Sequence, residues 1–339
     1  MKKLQNSLYV TRQGAYVHKE RETVVIEHER TKLMQVPIHS VSGVFCFGNV
    51  LVSPALMGFC GEKGVNLAFF TEYGRFYGRL QGKKSGNVLL RRAQYNADQL
   101  TSLEIARSVV AAKLVGCRNV LLRQQRNHGE TESLTRVVKH LAASIRLAKY
   151  VDNLDSLRGI EGDAAAQYFA VFGELINKGA REEFTFAGRN RRPPRDPVNA
   201  LLLFVYSILG QDISAALNGV GLDPQVGYLH TDRPGRDSLA QDLLEEFRPW
   251  LADRLVLSLI NRKQLRATDF ITESSGAVRM SDEARKTLLV SYQERKQQEV
   301  MHPFLKEKVP IGIIPHIQAM LLARHLRTDL ERYPPCVIR

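Results

Sequence analysis

The chain has 339 residues, 44% of them hydrophobic, and a formal net charge of +13. That length suits two domains better than one, and the apolar fraction is enough for real cores. The charge predicts attraction to polyanions, nucleic acid first and anionic membrane second, while the longest apolar stretch, Ala200–Leu209, is too short to span a bilayer.

The N-terminal Met1-Lys2-Lys3-Leu4-Gln5 lacks the apolar core of a signal peptide. Residues 1–82 read as a β-rich domain. Val24-Val25-Ile26, Val44-Phe45-Cys46-Phe47 and Val65–Phe70 are short β-branched or aromatic runs, punctuated by Gly14, Gly43, Gly48, Gly64 and Gly74. Ser53–Glu62 reads as one short helix between strands, and Arg75–Leu80 as a last strand. Together they predict a small β-sandwich or a pair of packed sheets. Residues 83–97, opening on Lys83-Lys84-Ser85-Gly86, read as a polar hinge that holds the domain boundary.

From Asp98 the apolar period becomes helical, which predicts a mostly α-helical domain over 98–339. Leu103, Ala106, Val110, Leu114, Cys117 and Leu121 recur at three and four, giving one long helix. A second is expected from Glu132 to Tyr150. A third, capped by Asn153, carries Leu157, Ile160, Tyr168 and Phe172. Glu161 lies inside it, beside Gly162 and Ala164-Ala165-Ala166. Small residues beside an acid let another helix or a ligand approach, although a plain surface charge is the simpler reading of Glu161 alone.

Residues 177–196 read as a loop with Lys178, Arg181, Arg189, Arg191, Arg192 and Arg195, and with Phe184 and Phe186 among them. Such a loop would track phosphates and stack on bases, or be a solvated loop whose rings anchor to the core. Asp196-Pro197 begins the next helix, Asp as cap and Pro at the first helical position. Its run to Leu217 is nearly all apolar, and Gly219 and Gly221 end it. A loop through Leu222-Asp223-Pro224 then leads to His230. Ser238 and Gln241 form a capping-box pattern, so a helix is expected from about Ser238. Asp242 and Glu245, three apart on it, share one face. One imidazole and two carboxylates meeting in space would suit a hard or borderline divalent cation. An exposed helix with ordinary acids and a loop His fits the same spacing.

Pro249 predicts a kink or break. Beyond it, Trp250–Asn261 resumes as helix and Phe270–Met280 reads as a hairpin turning at Ser274-Ser275-Gly276. A basic helix follows from Ser281 to about Val300, then a final helix from about Pro315 to Leu330. The four cysteines, Cys46, Cys60, Cys117 and Cys336, form no CxxC pair and read as reduced thiols rather than a zinc site. The fold class is α+β, a β-sandwich-like N-terminal domain followed by a mostly helical one.

Three separated segments carry a resemblance: Leu157–Ala165 (LRGIEGDAA); Asp196–Ala200 (DPVNA) with Gly221–His230 (GLDPQVGYLH); and Ser238–Pro249 (SLAQDLLEEFRP). In order and spacing they resemble the spacer-acquisition integrase of CRISPR systems, the larger of the two universal adaptation proteins, over nearly the whole chain. The compact length and the ending Tyr333-Pro334-Pro335 look most similar to the type I-C branch. The resemblance implies a metal site of Glu161, His230 and Glu245 holding Mn²⁺ or Mg²⁺, the imidazole favouring Mn²⁺. Many family members carry Asp where Glu245 stands, which keeps the charge and changes the reach. Asp242 matches a family acid and is implied as a support for the ligands or a water-mediated ligand. Arg248, one turn after Glu245, would clamp a phosphate oxygen or pair with Glu245; the family's frequent basic residue there favours the clamp. Arg233 is a weaker candidate of the same kind. Asn199 and Tyr206 match family positions near the site, and Arg189, Arg191 and Arg192 are the candidate DNA contacts of the basic loop.

What the resemblance implies is an enzyme of antiviral defence in the prokaryotic cytoplasm, with no membrane. It would be a metal-dependent endonuclease and integrase acting on double-stranded DNA. The reaction joins a 3′-hydroxyl of a captured fragment to a CRISPR repeat end by transesterification. The assembly implied is a homodimer, two such dimers being bridged by one dimer of a small ferredoxin-like partner. Dimer contact is expected from residues 1–80, whose sheet edges need cover. A non-catalytic basic DNA-binding scaffold is the alternative reading, and a metal hydrolase of a non-nucleic substrate a third. A scaffold needs none of Glu161, His230 and Glu245, and a small substrate needs no such positive field.

Overall fold

The computed structural model describes residues 6–80, 82, 87–190 and 193–338. The chain divides into two compact units. One comprises the residues before Asn87 together with Met280–Gln298 and Pro310–Ile313; the other holds Asn87–Arg279, Glu299–Val309 and the chain from Ile314 onward.

The β-branched and aromatic runs of the first unit form β1 (Asn6–Val10), β2 (Tyr16–Glu20), β3 (Thr23–His28), β4 (Thr31–Pro37), β5 (Val41–Phe47) and β6 (Leu51–Val52), then helix α1 (Pro54–Lys63), β7 (Asn66–Phe70) and β8 (Phe76–Leu80). They build two four-stranded sheets, β1-β5-β7-β8 and β4-β3-β2-β6. In the first sheet β1, β5 and β7 are parallel, Val44 standing opposite both Leu8 and Leu67, and β8 is antiparallel to β7. A parallel pair needs a crossover, and α1 provides it between β5 and β7. Ser53 caps α1 by accepting from Leu56 N at 3.2 Å, Pro54 opens it, and Gly64 closes it at φ 67°. Val10, Val44, Cys46 and Leu67 of one sheet share a core with Val17, Val24 and Ile26 of the other and with Leu56, Phe59 and Cys60 of α1. The predicted pair of packed sheets is what forms.

After β8 the chain is mainly helical: α2 (Val88–Tyr95), α3 (Gln99–His128), α4 (Glu132–Tyr150), α5 (Leu154–Ala170), the single turn α6 (Lys178–Arg181), α7 (Pro197–Val220), α8 (Ser238–Phe247) and α9 (Arg254–Asn261). The predicted hairpin follows as β9 (Phe270–Thr272) and β10 (Val278–Met280), then α10 (Asp282–Gln297), a second hairpin β11 (Glu299–Met301) and β12 (Lys308–Pro310), and α11 (Ile314–Leu326). Within the second unit α3 packs on α4, α5 and α8, while α7 packs on α8 and α11. Asp196 caps α7 by accepting from Asn199 N at 2.7 Å, and Gly221 ends it at φ 100°. Taken over its whole length α7 is apolar enough to cross a membrane, but 67% of the qualifying window is buried, as befits the core helix of this unit.

Three expectations need correction. Of the predicted hinge 83–97, residues 83–86 lie outside the described residues, and the part from Val88 is helix α2 of the second unit. The helical part is not one contiguous domain over 98–339, because α10 belongs to the first unit. The kink or break expected at Pro249 takes a milder form: α8 ends at Phe247, and Arg248–Asp253 continue as a π-helical stretch into α9. The wider turn absorbs the missing N–H. The Pro249 ring packs on Gly116 of α3, where a Cβ would stand only 3.1 Å from its Cγ.

The C-terminal tail is tied to α8 by Glu246, which accepts from Tyr333 Oη at 2.7 Å, Gln318 Nε2 at 3.1 Å and Cys336 N at 2.8 Å. Burial pushes its carboxyl up to about 7 from 4.5, against the pull of those donors. The folded chain therefore holds this proton more tightly than the unfolded one. Stability from this group is greatest below 4.5 and declines as pH rises to about 7. Urea unfolding at pH 5 and pH 8 should show that loss, and Glu246→Gln should shrink it.

Candidate active site

In the second unit the candidate ligands lie on α5, α8 and the loop 222–237, and α3 packs against both helices. Asn153 caps α5, its Oδ1 accepting from Ser156 N at 2.8 Å, and Glu161 follows on that helix. Asp237, not Ser238, is the residue that precedes α8. Gln241 N bonds Asp237 O at 2.9 Å, and the Ser238 hydroxyl donates to Thr231 O at 3.1 Å, so the predicted capping box does not form. Ser238 holds the His230 loop instead.

The two acids on α8 play different parts. Asp242, 1% exposed, accepts from the backbone N–H groups of Tyr228 (2.6 Å), Leu229 (3.0 Å) and His230 (2.9 Å), and from Nδ1 of His230 at 2.7 Å. A carboxylate only accepts, so Nδ1 carries a hydrogen, and Nε2 is the ring nitrogen left outside this contact. Both oxygens of Asp242 are thus committed to shaping the loop and fixing the ring. Gly227 permits this close approach: a Cβ there would lie 2.9 Å from Asp242 Oδ2 and from Ser238 C. Gly227→Ala should push the loop off α8 and lower stability by about 1–3 kcal/mol, as overpacking does, which urea unfolding would measure.

Glu245, 2% exposed, is held by two cations. Arg248 Nη1 donates to its Oε1 at 2.5 Å, and Lys113 Nζ of α3 lies 2.7 Å from its Oε2. The same ammonium bonds Glu161 Oε1. Burial by itself would raise the Glu245 carboxyl, but Arg248 and Lys113 outweigh it and hold the group below the ordinary carboxylate range. Burial by itself would lower the Lys113 ammonium, but Glu245 and Glu161 outweigh it and hold it above the ordinary range. As they stand, no three His, Cys, Asp or Glu side chains among the described residues are grouped closely enough to grip an ion. Lys113 bridges the two carboxylates. Arg248, pairing with Glu245, also places its guanidinium 4.8 Å from the Tyr206 ring centroid. Tyr206 Oη donates to Asp253 at 2.5 Å and Tyr168 Oη to the same carboxyl at 3.0 Å. Burial pushes Asp253 up to about 6, against both hydrogen bonds.

Outer contacts steady the loop. Gln94 of α2 donates to Asp223 O at 2.8 Å and Val226 O at 3.0 Å, and accepts from Asp223 N at 2.8 Å. Arg158, on α5 with Glu161, donates to Leu229 O at 2.7 Å, linking the helix of one candidate ligand to the loop of another.

The basic loop is more structured than its composition suggests. Asn199, fully buried, accepts from Arg189 Nη1 at 2.6 Å and from Asn190 N at 3.1 Å, and donates to Gly188 O at 2.9 Å. The Arg189 guanidinium also lies 5.5 Å from the Tyr206 centroid. Phe184 meets Phe270 edge to face, and Phe186 packs on Phe169 and Phe172, so these rings anchor the loop rather than wait for bases. Arg191 and Arg192 lie outside the described residues, and Arg233 is exposed on the loop before α8.

Sequence reading passed over Lys113, Gln94 and Asp253. Lys113 did leave a signal, because Val109, Ala112, Gly116 and Cys117 around it on α3 are all buried and a lone lysine on an apolar helix face asks for a partner. Gln94 fell inside the supposed hinge, and Asp253 followed a proline read as a breaker.

Comparison with known proteins identifies the family. Residues 8–294 match the sequence profile of the family described as CRISPR associated protein Cas1. A CRISPR-associated endonuclease Cas1 of Chlorobaculum tepidum is 50% identical over 346 residues, covering 100% of both chains. One of Rhodospirillum rubrum is 49% identical over 342 residues, covering 99% of both. The solved structure of a Cas1 protein from Thermotoga maritima shares the fold with TM-score 0.79 at 26% identity, over 95% of this chain and 97% of that one. With the profile spanning most of its length and the sequence identity extending end to end, the chain belongs to the CRISPR-associated Cas1 family.

Proposed function

We propose that this protein is a divalent-metal-dependent DNA endonuclease and integrase, which inserts captured DNA fragments into a CRISPR array through attack by the fragment's 3′-hydroxyl. The observation that supports this reading is that Glu161 and Glu245 share the Lys113 ammonium, while Asp242, on the helix of Glu245, fixes the His230 ring through Nδ1. The donor types, two carboxylates and an imidazole, suit a Mn²⁺ or Mg²⁺ ion: Arg248 and Lys113 hold Glu245 below the ordinary carboxylate range, and Asp242 engages His230 through Nδ1 and not Nε2. Glu161, Glu245 and His230 would hold the ion. When bound, it supplies charge stabilisation to the attacking and leaving oxygens of a phosphodiester. Arg248 stands beside Glu245 to orient a phosphate oxygen. The nucleophile in this reading is the fragment's 3′-hydroxyl, and burial pushes the Cys117 thiol and the Tyr206 phenol well up, against either of them taking that part.

The test offers the protein, with its small CRISPR partner, a short duplex and a supercoiled plasmid bearing a repeat. Joining is expected with free 3′-hydroxyl ends, and none with 3′-dideoxy ends or in EDTA. Equal joining of blocked ends, or activity persisting in EDTA, contradicts the mechanism.

The net charge of +13 supports DNA as the substrate. Affinity for duplex DNA should fall steeply with salt, and Arg191→Ala, Arg192→Ala and Arg233→Ala together should flatten the log–log slope by about one for each phosphate no longer neutralised. Anisotropy titrations at several salt concentrations measure it; an unchanged slope removes these residues from the DNA path.

The assembly we propose is a homodimer formed through the first unit, two dimers bridged by the small partner, acting in the cytoplasm. The exposed edge strand β4, with Leu33 and Met34 solvent-facing, supports that contact. Light scattering of the double variant Leu33→Lys, Met34→Lys should give a monomer.

A further inference from the structure

Lys113 has no part in the chemistry proposed above, yet it lies at the centre of the site. It is 6% exposed, far below what an unpartnered lysine tolerates. Its one ammonium hydrogen-bonds Glu161 of α5 and forms an ion pair with Glu245 of α8 at 2.7 Å. Buried carboxylates brought together without a cation repel strongly at low dielectric. Arg248 serves Glu245 and Gln241, and has no bond to Glu161. Lys113, on the helix against which both α5 and α8 pack, is therefore the group that ties their two acids to one point.

A charge count takes this further. Glu161 and Glu245 contribute two negative charges, and Lys113 and Arg248 match them with two positive ones. A divalent cation gripping the same carboxylate oxygens would add two positive charges where the Glu161 and Glu245 pair is already matched, at a largely buried place. It would also compete directly with the Lys113 ammonium for those oxygens. Lysine is suited to give way, being a point charge on a flexible stem, whereas a guanidinium would hold a carboxylate with a rigid fork. Once released, the ammonium needs an anion, and the anion at this site is a DNA phosphate.

Resting on the metal-dependent reading above, we propose that Lys113 is a resident counter-cation: it holds Glu161 and Glu245 together in the ion-free protein, is displaced by the divalent cation, and then pairs with a phosphate of bound DNA. Lys113 thereby makes ion binding and DNA binding favour one another, so that the site loads its metal chiefly when substrate is present.

The test is a Mn²⁺ titration followed by the electron paramagnetic resonance of the free ion, on wild type and Lys113→Met. Each protein is titrated alone and with a short duplex, with duplex alone as reference. Without DNA, Lys113→Met should bind Mn²⁺ at least about tenfold more tightly, the scale of removing one nearby positive charge. Its melting temperature without Mn²⁺ should be lower than wild type. DNA should tighten Mn²⁺ binding severalfold in wild type and much less in the variant. Equal Mn²⁺ affinity of the two proteins without DNA overturns the Lys113 proposal and leaves the metal site standing. If wild type and Glu245→Gln bind Mn²⁺ alike, the metal reading itself fails. A measurement on wild type alone guards against a variant that does not fold. Acetylation of Lys113 by acetic anhydride, read by peptide mass spectrometry, should rise severalfold when Mn²⁺ is added, and an unchanged rate contradicts displacement.

Discussion

Replacing Glu161 or His230 by Ala should reduce DNA cleavage and joining by more than the ~10–100-fold that follows from losing an outer support, because each removes a donor to the ion itself. Both side chains are partly exposed, so stability should change little. Glu245 behaves differently. It is buried between Arg248 and Lys113, so Glu245→Ala leaves Arg248 without its ion-pair partner and Lys113 with Glu161 alone, and should also cost about 3–5 kcal/mol of stability. Glu245→Gln keeps the shape and isolates the loss of charge. Activity assays at saturating Mn²⁺ combined with urea unfolding separate the two effects. Full activity in any of these variants removes that residue from the site.

Asp242→Ala should produce the largest combined effect without touching the ion. Three backbone N–H groups and the His230 ring lose their acceptor at a position 1% exposed. Each buried donor left unsatisfied costs about 1–3 kcal/mol, and partial relaxation of the loop should leave a net loss of about 3–5 kcal/mol. Mn²⁺ affinity should drop about 10–100-fold, the usual consequence of freeing a ligating imidazole. Calorimetry measures the first and Mn²⁺ titration the second. A variant as stable as wild type would mean that the loop is held by Gln94 and Arg158 alone.

Local chemistry made much of this architecture legible. Ser53, Asp98, Asn153 and Asp196 each accept from a backbone N–H at the start of the helix they were expected to begin or adjoin. The spacing of Asp242 and Glu245 correctly put both carboxylates inside one helix. What it did not give was their division of labour, because whether an acid meets backbone donors or cations depends on which loop and helix pack against it. The Ser238–Gln241 pattern misled for a related reason. Ser238 is buried against the His230 loop, and its hydroxyl finds a better partner in Thr231 O than in its own helix. At Pro249 the α-helix does give way, but to a π-helical stretch rather than to a loop. The return of α10 to the first unit is a long-range event that no local period encodes.

The most direct test of the metal site is anomalous diffraction at the manganese edge from crystals soaked in Mn²⁺. The result predicted is one peak in the second unit bounded by Glu161, Glu245 and His230 Nε2, at the ~2.0–2.2 Å reach of such ligands. Asp242 should remain on His230 Nδ1, and the Lys113 ammonium should have left the carboxylates. A fully occupied ion elsewhere in the second unit, or none at millimolar Mn²⁺ with Lys113 still bridging Glu161 and Glu245, would contradict it.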